Sequence, residues 1–261
     1  MDNSITSQYV NIGNLRIHYR TNDTEEDRTL LCIHGSGGTS HHWPELLFSA
    51  VPRTRVVAVD LPGHGKSDGE GYGSIDKYAD FIEAFCVALA FKKVFTAGHS
   101  LGGAVVLTLG LRAPEWLSGI IPVGTGGRLR VTDTILDGIL SDPGGTVDII
   151  SNYAWGPDAS LDMTAAYKTG MMRIDPAVTH ADFSACNRFD IMDRLGEIAL
   201  PCLIISGTSD RLTPEKYGAF LHKAVPGSVF RTIENGGHMM ALEKPEHFSE
   251  IIADFLAITV R

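Results

Sequence analysis

Gly98-His99-Ser100-Leu101-Gly102 places a serine between two glycines. The apolar run Val94 to Ala97 before it reads as a strand, and Gly103 to Leu111 after it reads as a helix. The pentapeptide therefore falls on a tight strand-to-helix turn, the setting of a nucleophile elbow. On such a turn the serine backbone is strained, and a Cβ two residues to either side would collide with its surroundings. The hydroxyl is lifted above the sheet. A helix N-terminus lies beneath it, where backbone N–H groups and the helix dipole favour developing negative charge. These are the requirements for attack on a carbonyl carbon. A serine hydroxyl also needs a base within hydrogen-bond reach to take its proton, and the chain offers ten histidines.

His238 follows Asn235-Gly236-Gly237, directly after the apolar run Val229 to Ile233. Asp210 closes Ile204-Ile205-Ser206-Gly207-Thr208-Ser209, and Arg211-Leu212-Thr213-Pro214 leads into a helix. Both fall in loops at the carboxyl ends of strands, where open α/β sheets hold ligands. Read singly, each has a plainer role: an aspartate ahead of a helix caps it, and a histidine after two glycines is a solvated loop residue. His34 and His64 are expected to brace turns through side-chain hydrogen bonds, and His99 to point away if Ser100 points up. The adjacent His41-His42 lacks the spacing of two helix-borne ligands, and there is no Cys/His quartet. No metal and no other cofactor is expected.

The elements that must carry these residues follow from periodicity. Tyr9 to Ile12 and Leu15 to Arg20, joined at Gly13-Asn14, read as an antiparallel hairpin. Further strand-like runs are Thr29 to Ile33, Val56 to Val59, Val94 to Ala97, Gly119 to Val123, Leu203 to Ile205 and Val229 to Ile233. Helical patterns separate them, including the face Ile75, Tyr78, Ala79, Ile82, Phe85, Cys86, Leu89 and a final helix with Pro245 in its first turn. Strands alternating with helices predict a mostly parallel eight-stranded sheet covered on both faces. Between 124 and 187 the alternation stops and short amphipathic helices take over. The expected organisation is a core of residues 1–123 and 188–261 with a helical cap, 124–187, inserted after the sixth strand.

With 44% apolar and 20% charged residues the composition is that of a folded globular chain. A formal net charge of −9, with no basic run, offers no attraction to phosphate backbones or anionic membranes. The residues Met1 to Ser7 show no basic segment leading into an apolar one, and no stretch has the length of a membrane span. Cys32, Cys86, Cys186 and Cys202 are scattered, which favours reduced thiols and a cytoplasmic location.

The motifs together resemble the α/β-hydrolase fold superfamily, more specifically serine hydrolases with a helical cap such as bacterial carboxylesterases. His34-Gly35-Ser36-Gly37-Gly38 after the third strand resembles the oxyanion-hole motif, and Asp60-Leu61-Pro62-Gly63-His64-Gly65-Lys66-Ser67 the Asp-x-x-Gly-x-Gly-x-Ser turn that follows the next. The resemblance implies the chain order nucleophile, acid, histidine, hence a triad of Ser100, Asp210 and His238. The stretch after the sixth strand, where some members carry the acid, has no acidic residue from Gly124 to Val131. The implied oxyanion donors are the backbone amides of Leu101 and Ser36, with Gly37 as the alternative for the second.

The expected activity is hydrolysis of a small carboxylic ester, a small-molecule partner, through an acyl-enzyme. Thioesterase, lactonase and carbon–carbon bond hydrolase chemistry remain open on the same residues. The last typically goes with a Gly-Pro-Gly oxyanion motif and a histidine-free elbow. Dehalogenases and epoxide hydrolases of this fold carry aspartate where Ser100 stands. A receptor-like protein that binds without turnover is the alternative from a different class. Trp155, Met163, Tyr167, Met171, Met172, Phe183 and Met192 could line an acyl pocket, though most should form the cap's own core. Arg128 and Arg130 could meet a substrate carboxylate, or simply be ion-paired.

Overall fold

Strand runs that are apolar at every position need a hydrophobic layer on both faces, because successive side chains point to opposite sides. The computed structural model, which describes residues 4–259, has that construction. The hairpin β1 (Thr6–Ile12) and β2 (Leu15–Thr21) is followed by β3 (Arg28–Ile33), the short helix α1 (Leu47–Ala50), β4 (Arg55–Val59), α2 (Ile75–Ala88), β5 (Lys93–His99), α3 (Leu101–Arg112) and β6 (Leu117–Val123). Four helices then interrupt the alternation: α4 (Asp133–Ser141), α5 (Pro143–Ala154), α6 (Leu161–Met171) and α7 (Pro176–Arg188). The chain returns with β7 (Leu203–Gly207), α8 (Glu215–Ala224), β8 (Val229–Ile233), α9 (Met240–Glu243) and α10 (Pro245–Ile258). Of the amino-terminal residues read for a signal segment, Met1 to Asn3 lie outside the described residues.

The sheet runs β1-β2-β4-β3-β5-β6-β7-β8, antiparallel only where β2 meets β1 and β4. Leu31 and Ile33 of β3, with Val57 and Val59 of β4, enter one core cluster with α2, α3 and Leu221 of α8. Their neighbours Leu30, Cys32, Val56 and Ala58 enter the other, with α1, α9 and α10. The sheet is thus the middle of three layers. All four cysteines are free and buried. Among the described residues no helix is long and apolar enough to cross a membrane.

The helices between β6 and β7, where the cap is expected, share a hydrophobic cluster of their own. Ile139, Val147, Ile150, Ala154, Tyr167 and Met171 cluster there, joined by Met239 from the loop after β8. Helix α7 belongs to both parts. Its Val178, Thr179, Asp182, Ala185 and Cys186 are buried, and Ala185 and Cys186 enter the core cluster beside α3. These helices therefore meet the rest of the chain through α7 as well as through the loop after β8, where Met239 N donates to the Ala154 carbonyl at 3.1 Å.

Candidate active site

Strand β5 runs straight into the elbow. Ser100 has φ +54°, and the helix α3 begins at the next residue. A Cβ on Gly98 would strike the carbonyl of Gly102, and one on Gly102 would strike that of Ile33 in β3. Only glycine lets the turn pass this close to the neighbouring strand. The Ser100 backbone is held on both sides: its N–H donates to the Val123 carbonyl at 2.9 Å, and its own carbonyl accepts from Ala104 N at 3.1 Å and Thr125 Oγ at 2.9 Å.

Asp210 and His238 lie in the loops after β7 and β8, as the sequence placed them, and the fold brings them together. His238 Nδ1 donates to Asp210 Oδ2 at 2.9 Å with both side chains buried. Asp210 Oδ1 accepts from the backbone N–H groups of Leu212 and Thr213, each at 2.9 Å, and Oδ2 also accepts from the Thr213 hydroxyl at 2.7 Å. Burial alone would raise the Asp210 pKa. The charge and hydrogen bond of His238, with the Thr213 donors, outweigh it and hold the carboxyl below its ordinary value. With Nδ1 committed to Asp210, Nε2 is the nitrogen left for the cavity that Ser100 and His238 both line.

That cavity has a volume of about 460 Å³, within the range of small-molecule sites. Its walls are mostly apolar, with Leu129, Ile135, Ile150, Tyr167, Phe183 and Met239 among them. Of the cap residues named from sequence, Tyr167 and Phe183 face it and the other five do not. Met239, directly after His238, was not anticipated. Arg130 reaches the cavity; Arg128 does not, and both guanidinium groups lie near the Asp190 carboxylate, at 3.5 and 3.7 Å.

His34-Gly35-Ser36-Gly37-Gly38 borders the cavity through Gly35 and Ser36. Neither the Ser36 nor the Leu101 amide has a hydrogen-bond partner among the described residues. The Gly37 amide does: it donates to Asp182 of α7 at 2.9 Å. His34 braces this loop as a neutral ring, with Nδ1–H donating to Gly35 O at 2.8 Å and Nε2 accepting from Leu61 N at 3.0 Å. Burial, with His64 nearby, pushes its pKa down to about 3. His99 donates from Nε2 to the His238 carbonyl at 2.9 Å and packs against that ring, and burial beside His238 holds it well below the usual histidine value. It lines the cavity and buttresses the histidine loop. Among the described residues there is no cluster of His, Cys, Asp and Glu able to hold a metal.

A sheet with a single antiparallel edge, a serine on a glycine-fenced elbow and an Asp–His pair at the next strand ends define a hydrolase of the α/β class. Residues 30–250 match the family model described as the alpha/beta hydrolase family, and the chain belongs to that family. A relative named 2-hydroxy-6-oxononadienedioate/2-hydroxy-6-oxononatrienedioate hydrolase, from Paraburkholderia phymatum, is 29% identical over 96% of both chains. Among solved structures, a thermophilic esterase is 31% identical, with a TM-score of 0.86 over 98% of this chain and 99% of its own. The enol-lactonase from Burkholderia xenovorans has a TM-score of 0.88 over 96% of this chain and its whole length, at 18% identity, a likeness of fold alone.

Proposed function

We propose that the protein hydrolyses small carboxylic esters, with Ser100 as nucleophile, His238 as general base and acid, and Asp210 as the group that orients it. The observation that carries this reading is that Ser100 faces the same apolar cavity as His238, whose Nδ1 is fixed on a buried, four-fold hydrogen-bonded carboxylate. Ser100 Oγ attacks the ester carbonyl while its proton passes to His238 Nε2. The oxyanion meets the Ser36 and Leu101 amides, which have no other hydrogen-bond partner among the described residues. Collapse expels the alcohol, which takes the proton from His238 and leaves an acyl group on Ser100. Water, deprotonated by His238, then releases the acid. No metal enters any step, and the apolar wall from α4, α5 and α6 suits an acyl chain better than a charged one.

Carbon–carbon bond hydrolysis is the second reading, favoured by the Paraburkholderia relative. Steady-state kinetics on p-nitrophenyl esters of increasing acyl length, beside a 2-hydroxy-6-oxodienoate, separate the two. Ester turnover with the higher kcat/KM is expected. A dienoate favoured by tenfold or more would move the assignment to carbon–carbon cleavage. Release of one equivalent of p-nitrophenol without further turnover would mark a binding protein instead.

A further inference from the structure

Asp182 sits in the middle of α7, fully buried, and accepts from three segments far apart in sequence. Its Oδ2 takes the Gly37 N–H at 2.9 Å and the His64 Nε2–H at 2.9 Å, and its Oδ1 takes the Tyr78 hydroxyl. His64 Nδ1 faces the Pro62 carbonyl at 3.0 Å. Both ring nitrogens thus face pure acceptors, so the ring satisfies them only as an imidazolium. A buried carboxylate that carries three donors, one of them a cation, is costly to disturb, because removing a partner leaves buried charge uncompensated.

Asp182 grips one particular peptide. Gly38 N donates to Gly35 O at 3.0 Å, closing a four-residue turn with Ser36 and Gly37 at its centre. Gly37 has φ +60° whereas Ser36 is not among the positive-φ residues, the pattern of a type II turn. Rotating the single Ser36–Gly37 peptide converts type II into type I, changing ψ of Ser36 and φ of Gly37 and with them the path of the whole turn. The N–H of that peptide belongs to Gly37, and Asp182 holds it. One turn further along the same face of α7, Cys186 Sγ lies 3.7 Å from Ser36 Oγ.

We propose that Asp182 is a positioning residue: a side chain of α7 that anchors the Gly35-Ser36-Gly37-Gly38 turn at Gly37 and so keeps the loop carrying the Ser36 amide seated beside the oxyanion formed on Ser100. The proposal rests on the ester-hydrolase reading of Ser100 above. The oxyanion hole is then a joint product of cap and core, complete only when α7 is seated.

An aryl trifluoromethyl ketone, which adds Ser100 Oγ reversibly to give a tetrahedral oxyanion, provides the test alongside ester kinetics. Active sites are counted by stoichiometric fluorophosphonate labelling, so that misfolded protein does not enter the rates. Asp182→Ala should lower kcat about 10- to 100-fold, less than the loss of an entire oxyanion donor. KM should stay within about threefold, and the ketone Ki should rise by the same factor as kcat/KM falls. Asp182→Asn, isosteric and able to offer an amide oxygen to Gly37, should fall between Asp182→Ala and wild type on both measures. Tyr78→Phe removes a donor but leaves the Gly37 tie, and should stay within about twofold of wild type. If Asp182→Ala fails to fold, Asp182→Asn decides. A folded Asp182→Asn with wild-type kcat and an unshifted ketone Ki overturns the proposal. Wild-type protein that the ketone does not inhibit, or Ser100→Ala that still turns over, would instead overturn the reading beneath it.

Discussion

Of the three buried aspartate–histidine pairs among the described residues, two share a 2.9 Å separation, Asp210 with His238 and Asp182 with His64, while His18 and Asp60 lie at 2.7 Å. In the first, the carboxylate's remaining donors come from its own loop, Leu212 and Thr213, and the far nitrogen of the ring is left to an open cavity. In the second, the donors come from Gly37 and Tyr78, and the far nitrogen is tied to the Pro62 carbonyl. Asp182 draws the His64 pKa above its usual value against the opposing effect of burial. The contact that leaves one ring able to exchange a proton with the cavity and favours the charged form of the other is therefore the one on the distal nitrogen. A ring with a free lone pair can take and give a proton; a ring between two acceptors favours the imidazolium.

The largest effect that tests this contrast is on the partner of the open nitrogen. Ser100→Ala should reduce kcat for p-nitrophenyl ester hydrolysis about 10⁴- to 10⁶-fold with unchanged fold by circular dichroism; more than a tenth of wild-type activity would remove Ser100 from the chemistry. Asp210→Asn keeps the shape but loses the charge that fixes the His238 tautomer, and kcat should drop by about 10² to 10⁴. Near-wild-type rates in that variant would mean that another carboxylate orients the ring.

His64→Ala leaves Asp182 buried without its cation. Urea unfolding should show a loss of about 3 kcal/mol, while kcat falls less than in Asp210→Asn. Equal losses of activity would erase the distinction between the pairs.

The smallest effect is on pH. His34, held at about 3, is neutral in the folded chain, whereas an unfolded histidine titrates near 6.5. Its contribution is complete above about 6.5 and is lost as pH falls toward the folded value, about 2 kcal/mol by pH 5. His99 has the same sign. His64 has the opposite one: its pKa is raised on folding, so its contribution is complete below about 6.5 and lost as pH rises through the folded value. Urea midpoints at pH 5, 6 and 7 should rise with pH in wild type. The rise should be steeper in His64→Ala, where the opposing contribution of His64 is gone; a shallower slope in the variant would contradict the imidazolium.

Much of this was legible in the chain because steric demands are written in residue types. The elbow glycines, the Gly13-Asn14 hairpin and the run Val229 to Ile233 are requirements of local geometry, and β8 spans that last run residue for residue. Edges were less sharp. β5 continues two residues past Ala97, through a glycine and a histidine that carry no strand signal, because the strand must deliver Ser100. Asp182 was not visible at all. In Pro176-Ala177-Val178-Thr179-His180-Ala181-Asp182 it looks like part of a solvated helix face, and its partners lie 104 to 145 positions away. Thr213 and Thr125 are hidden for a related reason: their hydroxyls matter through what they touch, and loop threonines are common.

The elbow separates the mount from the tool. Everything that fixes position 100, from the two flanking glycines to the bonds with Val123, Ala104 and Thr125, acts on main-chain atoms. No stabilising contact in that set depends on the serine hydroxyl. A thiol or a carboxylate could be fitted at the same station, on the same strained backbone, with the same cavity above it. For an engineer, residue 100 is thus an interchangeable head on a rigid handle. The glycines around it are the parts that must not be touched.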